Sequence, residues 1–332
     1  MDAISNELKY FGYLNRKIDP SLNITEEINR IRKEKNVVLL AHYYQSNDIQ
    51  DIADVVGDSL ALAQAAEKAE ADIILFSGVH FMAETAKILN PDKKVLLPDL
   101  NAGCSLADSC NPEDFKRFIE AHSDHTVISY INTTAEIKAL SDIICTSSNA
   151  KLIIENLHED EKIIFAPDRN LGNYIKSLTG RDMKIWDGAC HVHEEFSLER
   201  ILEVKKQFPD AKIIAHPECE KPILIVADHI GSTASLLNYT KNDKSDQYIV
   251  ATEPGIIHQM RKFNPSKTYI PAPPKDSTCA CSNCNFMKLN TINKIYNALL
   301  YEKPEILIDE KIRVKAEKPI RKMLEISKKL GL

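Results

Sequence analysis

Three stretches decide the fold: VVLLAH (37–42), TVISYIN (126–132) and AKIIAH (211–216). Each is a short, mostly β-branched or leucine-rich run ending in a polar residue, here His42, Asn132 and His216. Such a run, bounded by turn residues, reads as a buried strand. After each comes a hydroxyl-bearing turn into a helical stretch: GDSLALAQAAEKA around Ser59, TSSNAKLIIENL around Ser147, and GSTASLLNYT around Ser232 and Thr233. A third part is a strand and turn, ADIILFSGVHF, EKIIFAPDRNL and DQYIVATEPGI. The fourth is a strand running toward cysteines: KVLLPDLNAGC to Cys104, MKIWDGAC to Cys190, and KTYIPAP on to Cys279, Cys281 and Cys284.

The strand-end residues recur at spacings of 90 and 84, the serines at 88 and 85, and the first two cysteines at 86. Recurrence of one supersecondary unit at a near-constant period is the mark of an internal repeat. Short apolar runs alternating with amphipathic segments predict βαβ units with parallel strands. The expected fold is α/β: three homologous α/β/α sandwich domains, each with a parallel four-stranded sheet, arranged with pseudo-threefold symmetry around a central active site. The expected divisions are 1–106, an N-terminal segment plus the first repeat; 107–192, the second; 193–284, the third; and 285–332, a helical segment packing back on the domains. Ligands of such sheets gather at the carboxyl ends of the strands, where the singled-out residues fall.

Composition narrows the function. The 332 residues carry a net charge of −6, with 44% hydrophobic and 27% charged residues, a globular profile. Acidic and basic residues are mixed, which argues against a general nucleic-acid binder. The longest apolar runs, 37–41 and 223–227, have five residues, against about 20 for a membrane span. The N-terminus lacks the basic start and apolar stretch of a signal peptide, so a cytoplasmic location is expected. Eight cysteines in a reducing compartment point to metal or redox chemistry more than to a disulfide framework.

One loop cysteine per repeat offers three thiolates and leaves a coordination position open for substrate or water, the arrangement of a catalytic metal. Thiolate ligation suits zinc or an iron–sulfur cluster. Cys110, Cys145 and Cys219 occur in one repeat each and read as small buried hydrophobes. Cys279-x-Cys281-x-x-Cys284 is a zinc half-site without a second C-x-x-C to complete it. The hydroxyls Ser59, Ser147, Ser232 and Thr233 at expected helix starts read either as plain caps or as anion binders. Acid–base candidates are His42, Tyr44, Tyr130, His193, His216 and Glu218. In HPE, His216 and Glu218 lie on one side of an extended segment and can divide general-acid and general-base work. Tyr43 and Tyr44 alternate in direction, so one of the two faces the cavity. His80 and His258 fall outside the repeat and receive no role.

These residues resemble the quinolinate synthase family along nearly the whole chain. The resemblance rests on AHYYQ (41–45), GDSL (57–60), AGCSLADSC (102–110), YINTTAEIKA (130–139), CTSSNA (145–150), FAPDRNLG (165–172), WDGACHVHEEF (186–196), AHPEC (215–219), ADHIGSTAS (227–235), ATEPGIIHQM (251–260) and CNFMKLNT (284–291). It implies a transferase that condenses iminoaspartate with dihydroxyacetone phosphate to quinolinate, phosphate and water, in de novo NAD biosynthesis. It implies a [4Fe–4S] cluster held by Cys104, Cys190 and Cys284, its fourth iron acting as a Lewis acid, and functional coupling to an L-aspartate oxidase that supplies iminoaspartate. It implies that Glu218, Tyr44, Tyr130, His193 and His216 are catalytic. It also implies that His42, Ser59, Tyr130, Asn132, Ser147, His216, Glu218, Ser232 and Thr233 bind substrate. The chain departs from part of the family at Thr278, where a further cysteine would stand, which puts thiol–disulfide control there in doubt. Rival readings are an aconitase-type hydro-lyase, a non-enzymatic iron–sulfur carrier and a structural zinc protein.

Overall fold

The computed structural model describes residues 3–276 and 282–332; Thr278, Cys279 and Cys281 lie outside the described residues. Among the described residues, twelve strands form three parallel four-stranded sheets. The first contains β1 (Val37–His42), β2 (Val55–Gly57), β3 (Ile73–Ser77) and β4 (Lys94–Leu96). The second contains β5 (Thr126–Tyr130), β6 (Ile143–Cys145), β7 (Ile163–Ala166) and β8 (Met183–Ile185). The third contains β9 (Lys212–Ala215), β10 (His229–Ile230), β11 (Gln247–Ala251) and β12 (Thr268–Pro271). Strand order is the same in each: β2-β1-β3-β4, β6-β5-β7-β8 and β10-β9-β11-β12. The order reverses between the first and third strands of each set, and the carboxyl-end crevice there is the usual ligand position.

Register shows how closely the units repeat. Ala41 pairs with Val56 and Ser77, Ser129 with Ile144 and Ala166, and Ala215 with Ile230 and Ala251. The repeat offsets are therefore 88 and 86, and the residue equivalent to His42 and His216 is Tyr130. This corrects the expectation that Asn132 ends the second strand: β5 stops at Tyr130, and Asn132 lies two residues beyond. An aspartate missed in the sequence marks the same point of every unit. Asp54, Asp142 and Asp228 accept through Oδ2 from the amides of Leu39, Val127 and Ile213 at 2.8–2.9 Å. Their own amides donate to the carbonyls of those same residues at 2.7–2.9 Å. Each clamp fixes where the second strand starts, satisfying backbone groups that the short edge strand leaves over.

Two compact units are resolved, Met1–Cys104 with Asn285–Glu317, and Ser105–Cys284 with Lys318–Leu332. In the first, helices Ile24–Glu34 and Ile292–Tyr301 cover one face of the sheet, burying Ile28, Ile31, Leu39, Leu75, Leu96, Ile295 and Leu299 together. Asn23 caps Ile24–Glu34 through the Glu26 amide, with Glu26 and Glu27 in its first turn and Arg32 and Lys33 in its last, a charge order that suits the helix dipole. The residues after Cys284 fasten on the AHYYQ segment and on the residue after β3 in this unit. Lys288 Nζ donates to the Tyr44 carbonyl at 2.6 Å, and Asn290 Nδ2 to that of Gly78 at 2.7 Å.

In the second unit, one core gathers Phe115, Val127, Ile137, Ile164 and Ala166 around Cys110. Another gathers Phe196, Ile201, Ile213, Ala215, Ile249 and Ala251 around Cys219. Helix Arg169–Thr179 is capped by Asp168 and stops at Gly180, whose φ of 67° is left-handed, a conformation glycine adopts without steric cost.

Candidate active site

The second unit brings six of the expected site residues together. Tyr130, at the end of β5, donates through its phenol to Glu218 Oε1 at 2.5 Å. The other carboxylate oxygen, Oε2, lies 3.1 Å from His193 Nδ1. That nitrogen is also 3.2 Å from Cys190 Sγ. His216 stacks on His193 with ring centroids 4.7 Å apart, and its Nε2 lies 3.2 Å from Ser147 Oγ. Tyr130, His193, His216 and Glu218 are all buried. Cys190, His193 and Glu218 have ligand atoms close enough to hold one metal ion.

Local chain geometry sets the tautomer of His216. The Glu218 amide donates to His216 Nδ1 at 3.3 Å, so the ring carries its proton on Nε2, toward Ser147. His42 repeats the device in the first unit, where the Tyr44 amide donates to its Nδ1 at 3.2 Å. Burial pushes His216 down to about 3, so it is a neutral imidazole at pH 7. Its 3.7 Å approach to Glu218 is accordingly not an ion pair. Burial also pushes the Glu218 carboxyl up, but the neighbouring histidines and the hydrogen bonds from His193 and Tyr130 outweigh it and hold the group down at about 2. The adjacent His193 and the hydrogen bonds from His193 and Tyr130 are what keep Glu218 ionised against its burial.

A stability consequence follows. The unfolded chain protonates His216 near its ordinary value of 6.5, whereas the folded chain does so near 3. Between those values the unfolded state binds more protons, so stability falls as pH is lowered from 6.5. Glu218 adds its own loss only below its ordinary value of 4.5. At pH 5 the His216 contribution amounts to about 2 kcal/mol. Urea unfolding of the parent and His216→Gln at pH 7 and pH 5 should show a loss in the parent that is smaller in the variant by that amount.

Residues that received no role from sequence hold the cluster in place. Asp168, fully buried, accepts from the Leu171 amide at 2.7 Å as the helix cap and from the Cys190 amide at 3.3 Å. Burial and the Glu218 charge push its carboxyl well above the usual range. Asn170 Nδ2 donates to the Glu218 carbonyl at 3.1 Å, and Arg169 pairs with Glu194. The Cys190 loop lies so close that a Cβ on Gly188 would sit 2.5 Å from the Pro167 carbonyl, which excludes any larger residue. The D-R-N of FAPDRNLG carried the one readable signal, an aspartate cap before a helix. Thr252, whose hydroxyl lies 3.0 Å from His193 Nε2, was visible only as part of the stretch ATEPGIIHQM.

The hydroxyl turns differ in detail from expectation. Asp58, not Ser59, caps helix Ser59–Lys68, and Ser59 is its first residue. Asn149 stands at the cap of Ala150–Glu155, so Ser147 lies in the turn ahead of that helix rather than at its start. Ser232 does cap Thr233–Asn242, accepting from the Ser235 amide, and Ser148 Oγ donates to Ser232 Oγ at 2.8 Å. Among the described residues, Asn132 Oδ1 is buried with no hydrogen-bond partner, an acceptor available to a ligand.

The six described cysteines are thiols and divide into two groups. Cys110, Cys145 and Cys219 are buried, while Cys104, Cys190 and Cys284 are half-buried. Desolvation pushes the first group up, Cys110 to about 12 and the others also well above a free thiol. Thiolates are the ligand form, so the half-buried set fits a metal centre and the buried set does not. Cys104 and Cys190 each directly precede a single helical turn, Ser105–Asp108 and His191–Glu194. Ser105 Oγ and His191 Nδ1 share a hydrogen bond of 2.6 Å. Among the described residues no helix is long and apolar enough to cross a membrane.

Three parallel sheets, with a buried carboxylate–imidazole–phenol group beside a cysteine at the strand ends, define an α/β enzyme with an acid–base centre and a potential metal site. The chain belongs to the quinolinate synthetase A protein family, whose model matches residues 26–325. It is 59% identical over 309 residues to the quinolinate synthase of a Synechococcus strain, covering 93% of this chain and 97% of that protein. Quinolinate synthase of Nostoc punctiforme is 60% identical over 306 residues, covering 92% and 94% respectively. That of Thermosynechococcus vestitus is 58% identical over 306 residues, covering 92% and 96%.

Proposed function

We propose that this chain is a quinolinate synthase that condenses iminoaspartate with dihydroxyacetone phosphate, releasing phosphate and water, in the cytoplasmic route to NAD. The observation that carries the reading is the buried Glu218, hydrogen-bonded by Tyr130 and His193, with His193 also against Cys190. Condensation, imine–enamine exchange and dehydration all move protons. An ionised carboxylate beside two hydrogen-bond donors is equipped to take and return them.

Cys104, Cys190 and Cys284 would hold a [4Fe–4S] cluster, a donor set that their partial exposure favours over the three desolvated thiols. When bound, the cluster supplies a Lewis acid for loss of a hydroxyl. The remaining work falls to side chains. Glu218 takes a proton from the enamine precursor and returns it to the departing group, with Tyr130 completing the relay. Neutral His216 donates through Nε2 to substrate oxygen in the place where it now meets Ser147. Asn132, Ser147, Ser232 and Thr233, with His42, Tyr44 and Ser59 of the first unit, bind and orient the anionic substrates. The intervals 1–106, 107–192, 193–284 and 285–332 are the repeat units and tail of this enzyme. An L-aspartate oxidase is its functional neighbour as the source of unstable iminoaspartate.

Anaerobic purification with iron and sulfide analysis, then a quinolinate assay with both substrates, tests the proposal. Equal amounts of iron and sulfide with quinolinate formed are expected. Stoichiometric zinc in their place, or no quinolinate from a chain loaded with iron and sulfide, would overturn it.

A further inference from the structure

The His193 imidazole meets polar groups on both its nitrogens. Nδ1 lies 3.1 Å from Glu218 Oε2 and 3.2 Å from Cys190 Sγ. Nε2 lies 3.0 Å from the hydroxyl of Thr252, the residue directly after β11. An ionised carboxylate only accepts hydrogen bonds, so Nδ1, which faces Glu218 Oε2, carries a proton. Nε2 faces the Thr252 hydroxyl inside a site where His193 and Thr252 are both buried. Turning the ring over by 180° about χ2 would present carbon to Glu218 and Cys190 while keeping the stack on His216. Packing alone therefore does not choose the orientation. The hydrogen bonds do, to Glu218 on Nδ1 and to the Thr252 hydroxyl on Nε2.

We infer that Thr252 is a positioning residue for His193, holding the ring so that its Nδ1–H is shared between the Glu218 carboxylate and the Cys190 sulfur. The inference rests on the quinolinate synthase reading for its kinetic consequence, and on geometry alone for the ring state. The arrangement couples the proton-transfer carboxylate to a ligand cysteine through one imidazole, as outer hydrogen bonds orient the ligands of metal sites. Valine at 252 keeps the branched shape but removes the hydroxyl, and serine keeps the hydroxyl.

The test compares Thr252→Val and Thr252→Ser as anaerobically purified full chains. Quinolinate kinetics are followed on the loaded enzyme. The ¹⁵N signals of the His193 ring are followed on the full chain stripped of iron, assigned by their loss in His193→Gln. The expected result is a kcat lowered about 10–100-fold in Thr252→Val, the usual effect of losing such an orienting partner, with KM close to the parent. Thr252→Ser should recover kcat and the parental Nδ1–H signal pattern, which Thr252→Val should lose. A parental kcat and parental His193 signals in Thr252→Val would overturn the inference. So would a fall in thermal stability with neither signal nor kcat restored by serine. If the parent forms no quinolinate, the functional reading fails, and the ¹⁵N pattern still decides the inference by itself.

Discussion

Glu218→Gln is expected to lower quinolinate formation about 10²–10⁴-fold, the span of a positioned acid or base, while bound iron and substrate KM stay near parental. Glutamine keeps the size of the side chain and can still accept from His193 and donate to Tyr130, whose phenolic oxygen then becomes the acceptor. What it lacks is the ability to take up and release a proton. The parental carboxylate is ionised across the working range because the adjacent histidines and its hydrogen bonds together outweigh burial and hold it at about 2. Steady-state assays of the two proteins, with iron measured on each preparation, make the comparison. Near-parental turnover would move proton transfer to Tyr44, Tyr130 or one of the histidines. Loss of iron from the variant would mean that the carboxylate is structural.

Replacing Cys104, Cys190 or Cys284 singly by Ala should abolish the bound iron–sulfur cluster, whereas Cys110→Ala, Cys145→Ala and Cys219→Ala should retain it. The first three are half-buried and so reachable by a metal. The second three sit among apolar side chains or strand residues, where burial keeps the thiol protonated. Their loss removes a small packed group, worth on the order of 1 kcal/mol, and lowers the melting temperature without touching metal. Iron and sulfide per chain and the visible absorption of anaerobic preparations separate the two outcomes. A fourth cysteine bound to iron in the active form would sink the open coordination position on which the Lewis-acid role depends.

Much of this architecture is legible in the chain, and the reason is local. Strand runs such as VVLLAH and AKIIAH, hydroxyl turns and amphipathic helices are short-range patterns, and their return at a near-constant period shows one unit used three times. The cysteines, the HPE segment and the family motifs are likewise visible as residue types in order. Strand ends and caps were less legible, because they depend on which backbone groups find partners. The second strand stops at Tyr130 rather than Asn132, and Asp58 rather than Ser59 takes the cap.

What tertiary structure alone decided is which distant groups share a proton. Tyr130 and Glu218 are 88 residues apart in sequence, and His193 and Thr252 are 59 apart. No periodicity encodes such pairs. They arise because parallel strands from successive repeats deliver their carboxyl ends into one buried place, as Tyr130 does from β5 and Thr252 from β11. Burial there keeps His216 neutral, while the adjacent histidines and the hydrogen bonds from His193 and Tyr130 keep Glu218 ionised. Residue identity and rhythm determined by themselves that this chain folds as repeated parallel α/β units bearing thiols, imidazoles and hydroxyls at their strand ends. The protonation and orientation of those groups came from burial and from partners that only the folded chain supplies.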